Sequence, residues 1–536
     1  MKKLILAAVV VAAVMVFALF AGSACSQRKA GGVLRIGTVG RIDQVNPLAA
    51  KDDISAIVRD AVFASLFRYN EKWEEEPYLL ERMPDASDGS VKHAGSGMIS
   101  IDYTLKPDYK WSNGNPIDAY DLLFAYQMEY SPRFSKFNPD INNCVKKASV
   151  SNPQTASFTI VPGVCDFPPV PLSKKALEGK LIAGTAEELS KEFAGASPYS
   201  GPYIIKSFEP RKIVLARNSQ FTKYFPAIDT IEIICYASET EMLEQYKKKM
   251  LDVITPVSMG GLNQIPDDKG IKKLVKPGSV QICLIPNLDN TFPSDIRFRK
   301  AVMYALKRNE LSKKIMGSQE FMSISWLSPR HPASVDVLSQ YSASEDKAQQ
   351  MFEEMGYKQN KDGHFEKDGI LLTPSVIVNS EEPLDYAAAL YLKESLERVG
   401  AGLDIKAYPP DECARYLRER IFPDFIIAHI ATPPSVDPEK LFHSKQIPGT
   451  LNDYNGLNYS GWRNSDNDAL CVRNKDMISR DQKITLLKDH QKLFAADLPY
   501  IPLLIYPEIV VHDLSITNIK PRGFGAITWN IEEWIR

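Results

Sequence analysis

The sequence predicts an α/β protein of two lobes with a ligand cleft between them, and three observations carry that prediction. The chain has 536 residues, beyond the about 250–300 at which a single hydrophobic core stops growing. Two separate stretches, about residues 185–280 and 294–430, each alternate short strands with capped helices, which is the order of a mixed or parallel sheet covered by helices on both faces. Aromatic residues make up 10% of the chain, with 23 Tyr, 23 Phe and 6 Trp, ample for a core and for lining a cleft. In open α/β sheets ligands bind beyond the carboxyl ends of the strands, so two such lobes place the site between them.

The elements follow in order. Val33-Leu34-Arg35-Ile36-Gly37 reads as a first strand. Residues 201–208 and 212–217 form a hairpin turned at Glu209-Pro210. Residues 230–236 are a β-branched strand, and Ser238-Glu239-Thr240-Glu241 then opens a helix to about residue 250 with a capping box. Residues 252–255 return as a strand. In the second half, Ser294-Asp295 caps a helix whose apolar residues Phe298, Ala301, Val302, Ala305 and Leu306 form one stripe. A helix at 346–355 ends at Gly356, a strand follows at 371–378, and a helix at 384–399 stops at Gly400. Leu403, Ile405 and Ala407 alternate as a strand, 411–420 is helical, and 425–430 is an apolar strand. Residues 47–184 are rich in Pro, Asn and Ser with little periodicity and read as a loop-rich subdomain inserted in lobe one. Lobe one is expected to combine residues 32–280 with 500–536, and lobe two to span 281–499, so that the chain crosses twice between them.

Residues 1–24 have the order of an export signal: basic Met1-Lys2-Lys3, an unbroken apolar run from 4 to 20, then small residues. Cys25 fits lipid attachment to a new N-terminus, with 25–31 as a tether, although Gly22 stands where a branched apolar residue is usual. Simple cleavage near Ala21-Gly22-Ser23 and an uncleaved anchor are the alternatives, since the run reaches the lower limit of about 17 residues for a membrane span. Six cysteines remain beyond Cys25. Cys144 and Cys165 flank a Pro-rich segment that a disulfide would close, while Cys235 and Cys283 sit in apolar strands as buried thiols.

A net charge of −2 provides no field for nucleic acid. No GxSxG, HExxH, GxxxxGK[ST] or CxxC pattern is present, and the seven histidines form no helical i, i+4 pair. His429 and His443 are the nearest approach to a metal pair. Neither catalysis, a cofactor nor a metal is therefore expected.

Several motifs in order resemble one family. Gly31-Gly32-Val33-Leu34-Arg35-Ile36-Gly37 with Asn46-Pro47 resembles its opening strand and turn. Tyr103-Thr104-Leu105-Lys106 and Lys110-Trp111-Ser112-Asn113-Gly114-Asn115-Pro116 resemble its TFxLRxGxKWSDGxP signature. Ser200-Gly201-Pro202-Tyr203, Asp295-Ile296-Arg297-Phe298-Arg299-Lys300-Ala301 and Leu498-Pro499-Tyr500-Ile501-Pro502-Leu503 resemble its GTGPY, DVRVRQA and late PxiPly segments. The family is the bacterial extracellular solute-binding proteins, family 5, the substrate-binding proteins of peptide-type ABC importers. The resemblance implies a hinged, Venus-flytrap periplasmic-binding-protein fold of type II. It implies a monomer in the cell envelope that captures a peptide or other small polar solute and hands it to a cognate permease and ATPase complex, held to the membrane by its N-terminal lipid. A sugar or metal complex as solute, an adhesin or chaperone role, and an envelope hydrolase are the alternatives.

In peptide-binding members a loop like GWxADYxDP follows an apolar lobe-two strand, and its first Asp pairs with the peptide α-ammonium. Here that stretch is Ala428-His429-Ile430-Ala431-Thr432-Pro433-Pro434-Ser435-Val436-Asp437-Pro438. Thr432 or Pro433 replaces the first Asp. Either Asp437 takes over that role or the protein does not read a free N-terminus. His429, Thr432 and Asp437, with Asn46 and Trp111, are the candidate ligand-binding residues. Trp111 is also read as a packing residue beside the Asn113-Gly114 turn.

Overall fold

The computed structural model describes residues 31–49, 52–134, 141–162, 168–221, 225–477 and 479–536. The expected signal 1–24, Cys25 and most of the tether lie outside the described residues. The strands of the main sheet are β1 (Val33–Val39), β2 (Tyr203–Glu209), β3 (Lys212–Arg217), β4 (Thr230–Tyr236), β5 (Val253–Ile254), β6 (Ile271–Pro286), β7 (Ser375–Asn379), β8 (Asp404–Tyr408), β9 (Phe425–Ala431) and β10 (Ile501–Asp513). They lie in the order β8-β7-β9-β6-β10-β5-β1-β4-β3-β2.

Two strands of this sheet are long, β6 with 16 residues and β10 with 13. They pair antiparallel from Ile271↔Asp513 to Leu284↔Ile501, with an irregularity between Pro277 and Gln281. Pro277 stands opposite Pro507 at that point. Neither proline has an N–H to give to the ladder, so the two strands lose pairing where they cross. The freed backbone groups find other partners, as buried peptide groups must. Ser328 Oγ donates to the Gly278 carbonyl at 3.2 Å, Ser279 N donates to the Gly523 carbonyl at 2.7 Å, and Thr432 N donates to the Ser279 carbonyl at 2.7 Å. A Cβ on Gly278 would come within 2.8 Å of the Tyr506 carbonyl oxygen, which is why this crossing takes a glycine.

Two large cores lie on either side of the crossing. One joins Leu34 and Ile36 of β1 to Ile231 and Ile233 of β4 and to Val510, Ile531 and Trp534 near the C-terminus. The other joins Ile282 and Leu284 of β6 to Phe298, Val376, Leu392, Phe425 and Leu503. These halves are lobe one and lobe two. The expected helices are present at Ile296–Ala305, Glu345–Glu354, Pro383–Arg398 and Pro410–Glu419. The helix Glu239–Lys247 is capped by Ser238, whose hydroxyl accepts from Glu241 N at 3.2 Å. The Glu241 carboxylate reaches back one residue further than a capping box requires, to Ala237 N at 3.2 Å.

The inserted region is a correction. Residues 47–184 read as loop-rich, yet they hold the helices Asp53–Val62 and Ala119–Tyr130 and a four-stranded antiparallel sheet of Val91–Gly95, Met98–Thr104, Thr155–Ile160 and Val145–Asn152. The helix Asp53–Val62 packs into the lobe-one core, while Leu80, Tyr103, Trp111, Leu122 and Phe158 form a third core. Ser, Thr and Asp on the strands' outer faces hid the alternation. Cys144 is disulfide-bonded, and Cys165 lies outside the described residues. Cys235, Cys283, Cys413 and Cys471 are buried. No helix among the described residues is long and apolar enough to cross a membrane.

Candidate functional site between the lobes

Strand direction places the site. β6 runs from lobe one into lobe two and β10 runs back, so β5, antiparallel to β10, points toward lobe two, and β1 and β4 run parallel to it. β9, antiparallel to β6, points toward lobe one, with β7 and β8 parallel. The carboxyl ends of the parallel strands of both lobes therefore face each other across the crossing, the position at which open α/β sheets bind ligands.

One end of this gap is sealed. Arg330 of lobe two donates from Nη1 to the Pro277 carbonyl at 3.2 Å and from Nη2 to the Glu71 carbonyl of lobe one. Its guanidinium lies 5.8 Å from the Trp73 ring centroid. Trp73 is fully buried, donates to the Arg522 carbonyl and meets His331 edge-on at 6.4 Å. The His331 ring donates from Nε2 to the Pro434 carbonyl at 3.2 Å, while Nδ1 accepts from Ala333 N at 3.0 Å. That pair of bonds holds the neutral ring, and burial pushes its pKa down to about 4. Glu508, on the floor, accepts from Gly523 N at 2.5 Å. Burial pushes its carboxyl up to about 7 against the Gly523 bond and the charges of Arg330 and Arg522.

The other end keeps polar groups within reach of solvent. The His429 side chain is 32% exposed, and its Nε2 donates to Asp385 Oδ1 at 2.7 Å. Burial works against the charged ring, but the Asp385 hydrogen bond and charge outweigh it and raise the pKa. The His429 ring lies 5.3 Å from that of Tyr506 on β10, whose hydroxyl donates to Glu382 Oε2 at 3.3 Å. Burial, then the charges of Glu382 and Asp385 of lobe two and Glu239 of lobe one, push the Tyr506 phenol up to about 12. Groups of both lobes thus converge on this phenol.

Lobe one contributes a cavity of about 360 Å³. Phe63, Tyr69, Tyr78, Phe524, Trp529 and the guanidinium of Arg68 are among the groups lining it. Tyr69 feels the charge of Arg480, on the lobe-two helix Arg480–Asp497, so the cavity borders the gap.

Of the five candidate residues, His429 alone stands at the exposed end. Thr432 is fully buried and its hydroxyl donates to the Ser279 carbonyl at 3.0 Å. Trp111 is 1% exposed and donates to Asp121 Oδ2 at 2.8 Å. Asn46 is fully buried, with Oδ1 accepting from Leu48 N at 3.0 Å. The Asp437 carboxylate caps the helix Pro438–Phe442 through Glu439 N at 3.0 Å. Asp385, Tyr506, Arg330 and His331 were missed. Only Tyr506, three residues beyond the motif that ends at Leu503, carried a local signal. His443 is buried, accepting from Lys445 N at 3.1 Å, and among the described residues no three His, Cys, Asp or Glu side chains are placed to hold a metal ion.

Two lobes joined by crossing strands, with a polar and aromatic gap between them, define a hinged two-lobe binding protein. Residues 99–443 match the model of the bacterial extracellular solute-binding proteins, family 5 Middle, and the chain belongs to that family. The oligopeptide-binding protein AppA of Bacillus subtilis (strain 168) is 24% identical over 564 aligned positions, covering 100% of this chain and 99% of that protein. Among solved structures, the ABC transporter substrate-binding protein CtaP of Listeria monocytogenes matches with a TM-score of 0.77 at 19% identity, over 94% of this chain and 99% of that one. NikZ from Campylobacter jejuni, solved in complex with Ni(L-His), matches with a TM-score of 0.68 at 21% identity, over 95% of this chain and 100% of that one. At these identities the structural likeness establishes the fold.

Proposed function

We propose that this chain is the substrate-binding component of an ABC importer, closing its two lobes on a peptide or peptide-like solute and presenting the closed form to a membrane permease. It works without catalysing a reaction, as a monomer in the cell envelope tethered by lipid on Cys25. The crossing of β6 and β10 at Pro277 and Pro507 carries this reading. It supplies a pivot with weakened pairing, and a solute that touches both lobes shifts the population toward closure by its differential affinity. The full-length relationship to an oligopeptide-binding protein supports a peptide.

X-ray scattering with and without short peptides tests the mechanism. The radius of gyration is expected to fall on binding, and tight binding without that change overturns closure. A metal complex or other non-peptide solute is the second reading. The Asp437 carboxylate is engaged by its own helix, and NikZ of the same fold was solved with Ni(L-His). Calorimetry with free and N-acetylated peptides separates them, because losing the partner of a buried ammonium costs about 3–5 kcal/mol. Equal affinities mean that no carboxylate reads the ammonium.

A further inference from the structure

The lobe-one cavity has an unusual wall. The Arg68 guanidinium lies over the Tyr78 ring at 4.6 Å and the Trp529 ring at 5.0 Å, and that of Arg522 over Phe524 at 4.7 Å and Trp529 at 5.3 Å. Tyr69 meets Phe524 edge-on at 5.9 Å. Such a wall of alternating arginine planes and ring faces has two plausible guests, an anion or a flat ring. The charges decide between them. Arg68 Nη1 is 2.7 Å from Glu532 and Nη2 is 3.3 Å from Glu533. Arg59 and Arg522 share Asp60, at 2.9 and 3.7 Å. Each of these arginines already has a carboxylate partner, so an anionic guest would add negative charge to paired groups. Each guanidinium plane already faces two rings, so what the wall still offers a guest is the half-buried rings of Tyr69 and Phe524, which favour another aromatic system edge-on or offset.

Size and place point the same way. Pockets for drug-sized ligands run about 300–1,000 Å³, so a cavity of about 360 Å³ has room for a large aromatic side chain. Tyr69 and Phe524 are half-buried, and Phe524 packs edge-on at 5.4 Å against Trp73, which touches His331 of lobe two. A solute held between the lobes therefore has the cavity beside it.

We propose that this cavity is a subsite for one aromatic side chain of the captured solute, received by the rings of Tyr69 and Phe524, with Trp529, Arg68 and Arg522 completing the wall. The proposal rests on the solute-binding reading above and gives it a specificity.

The probes are penta-alanine and its five variants with a single Phe, with matched Leu and Glu sets, titrated calorimetrically into full-length protein freed of solute. At one position Phe is expected to bind at least about tenfold more tightly than Ala, with Leu gaining less and Glu nothing. Phe524→Ala and Tyr69→Ala should each bring that ratio toward one. Phe524→Leu, which keeps bulk without a ring, serves if an alanine variant does not fold by circular dichroism. Absence of a Phe preference at every position overturns the subsite, as does a gain for Glu or a ratio that survives in the folded variants. If none of these peptides binds, the peptide reading falls. The solute retained through purification, identified by native mass spectrometry, then decides the cavity. A ring-bearing solute lost from Phe524→Ala supports it, and a ring-free solute overturns it.

Discussion

His331 and His429 both belong to lobe two and both border the gap, yet their surroundings push them in opposite directions. His331 is 7% exposed, wedged beside Trp73 of lobe one, and held neutral by burial. His429 is on an apolar strand but keeps a third of its side chain in solvent, and the Asp385 hydrogen bond and charge raise its pKa. The contrast separates two jobs along one cleft. At the sealed end packing joins the lobes, and a charge there is costly. At the exposed end a carboxylate, an imidazole and a phenol stand together with hydrogen-bonding capacity that a solute can use.

The largest expected effect breaks the sealed end. Trp73→Ala removes a fully buried indole and should destabilise the protein by about 3–5 kcal/mol, read from urea unfolding. The equivalent measurement on His429→Gln should move stability by less than about 1 kcal/mol while changing solute affinity. Equal losses would erase the distinction between the ends.

Acid comes next. The His331 pKa of about 4 lies below its unfolded value, so its contribution is present above about pH 6.5 and is lost as pH falls toward 4. That shift corresponds to about 3 kcal/mol. His490, buried and lowered to about 3, adds in the same direction. Unfolding free energies measured from pH 7 to 4 should fall steeply, and less steeply in His331→Gln. His429 has the opposite sign: its raised pKa gives a contribution complete below about pH 6.5 and lost as pH rises through the folded value. An Asp385→Asn variant should lose that alkaline-side dependence, as measured by melting between pH 6 and 8.

The pivot itself gives a smaller effect. Gly523 has φ +87°, and a Cβ there would sit 2.9 Å from the Pro277 carbonyl oxygen. Gly523→Ala should cost about 1–3 kcal/mol and weaken solute binding, seen together in melting and calorimetry. A neutral result would mean the crossing tolerates more strain than its bonding implies. Smallest is Tyr506→Phe, which deletes one 3.3 Å hydrogen bond to Glu382 and should cost about 1 kcal/mol or less.

Much of the fold was legible because it is written locally. The hairpin of β2 and β3, the strand β4 and the helices Ile296–Ala305 and Pro383–Arg398 follow from neighbouring residues through alternation, helical spacing and capping. Of the long strand β6, only the apolar stretch around Cys283 was legible. Its centre, Lys276-Pro277-Gly278-Ser279, reads as a turn, and only pairing with β10 and β9 makes it a strand. The four-stranded sheet of the insert was hidden for a similar reason, since half of each strand faces away from its core.

The sequence by itself determined the family, the α/β class and a set of residues around the lobe-two strand β9. Which of those residues meet the cleft was decided by tertiary structure. Thr432 and His429 are three residues apart, yet one is spent on the Ser279 carbonyl and the other stands beside Tyr506. The cavity wall joins Arg68 to Glu532, and the sealed end joins Arg330 to Glu71. Capping and periodicity act over a few residues, which one sequence displays. A cleft is built by side chains hundreds of positions apart, and their directions are settled only when the sheet and its two cores have packed.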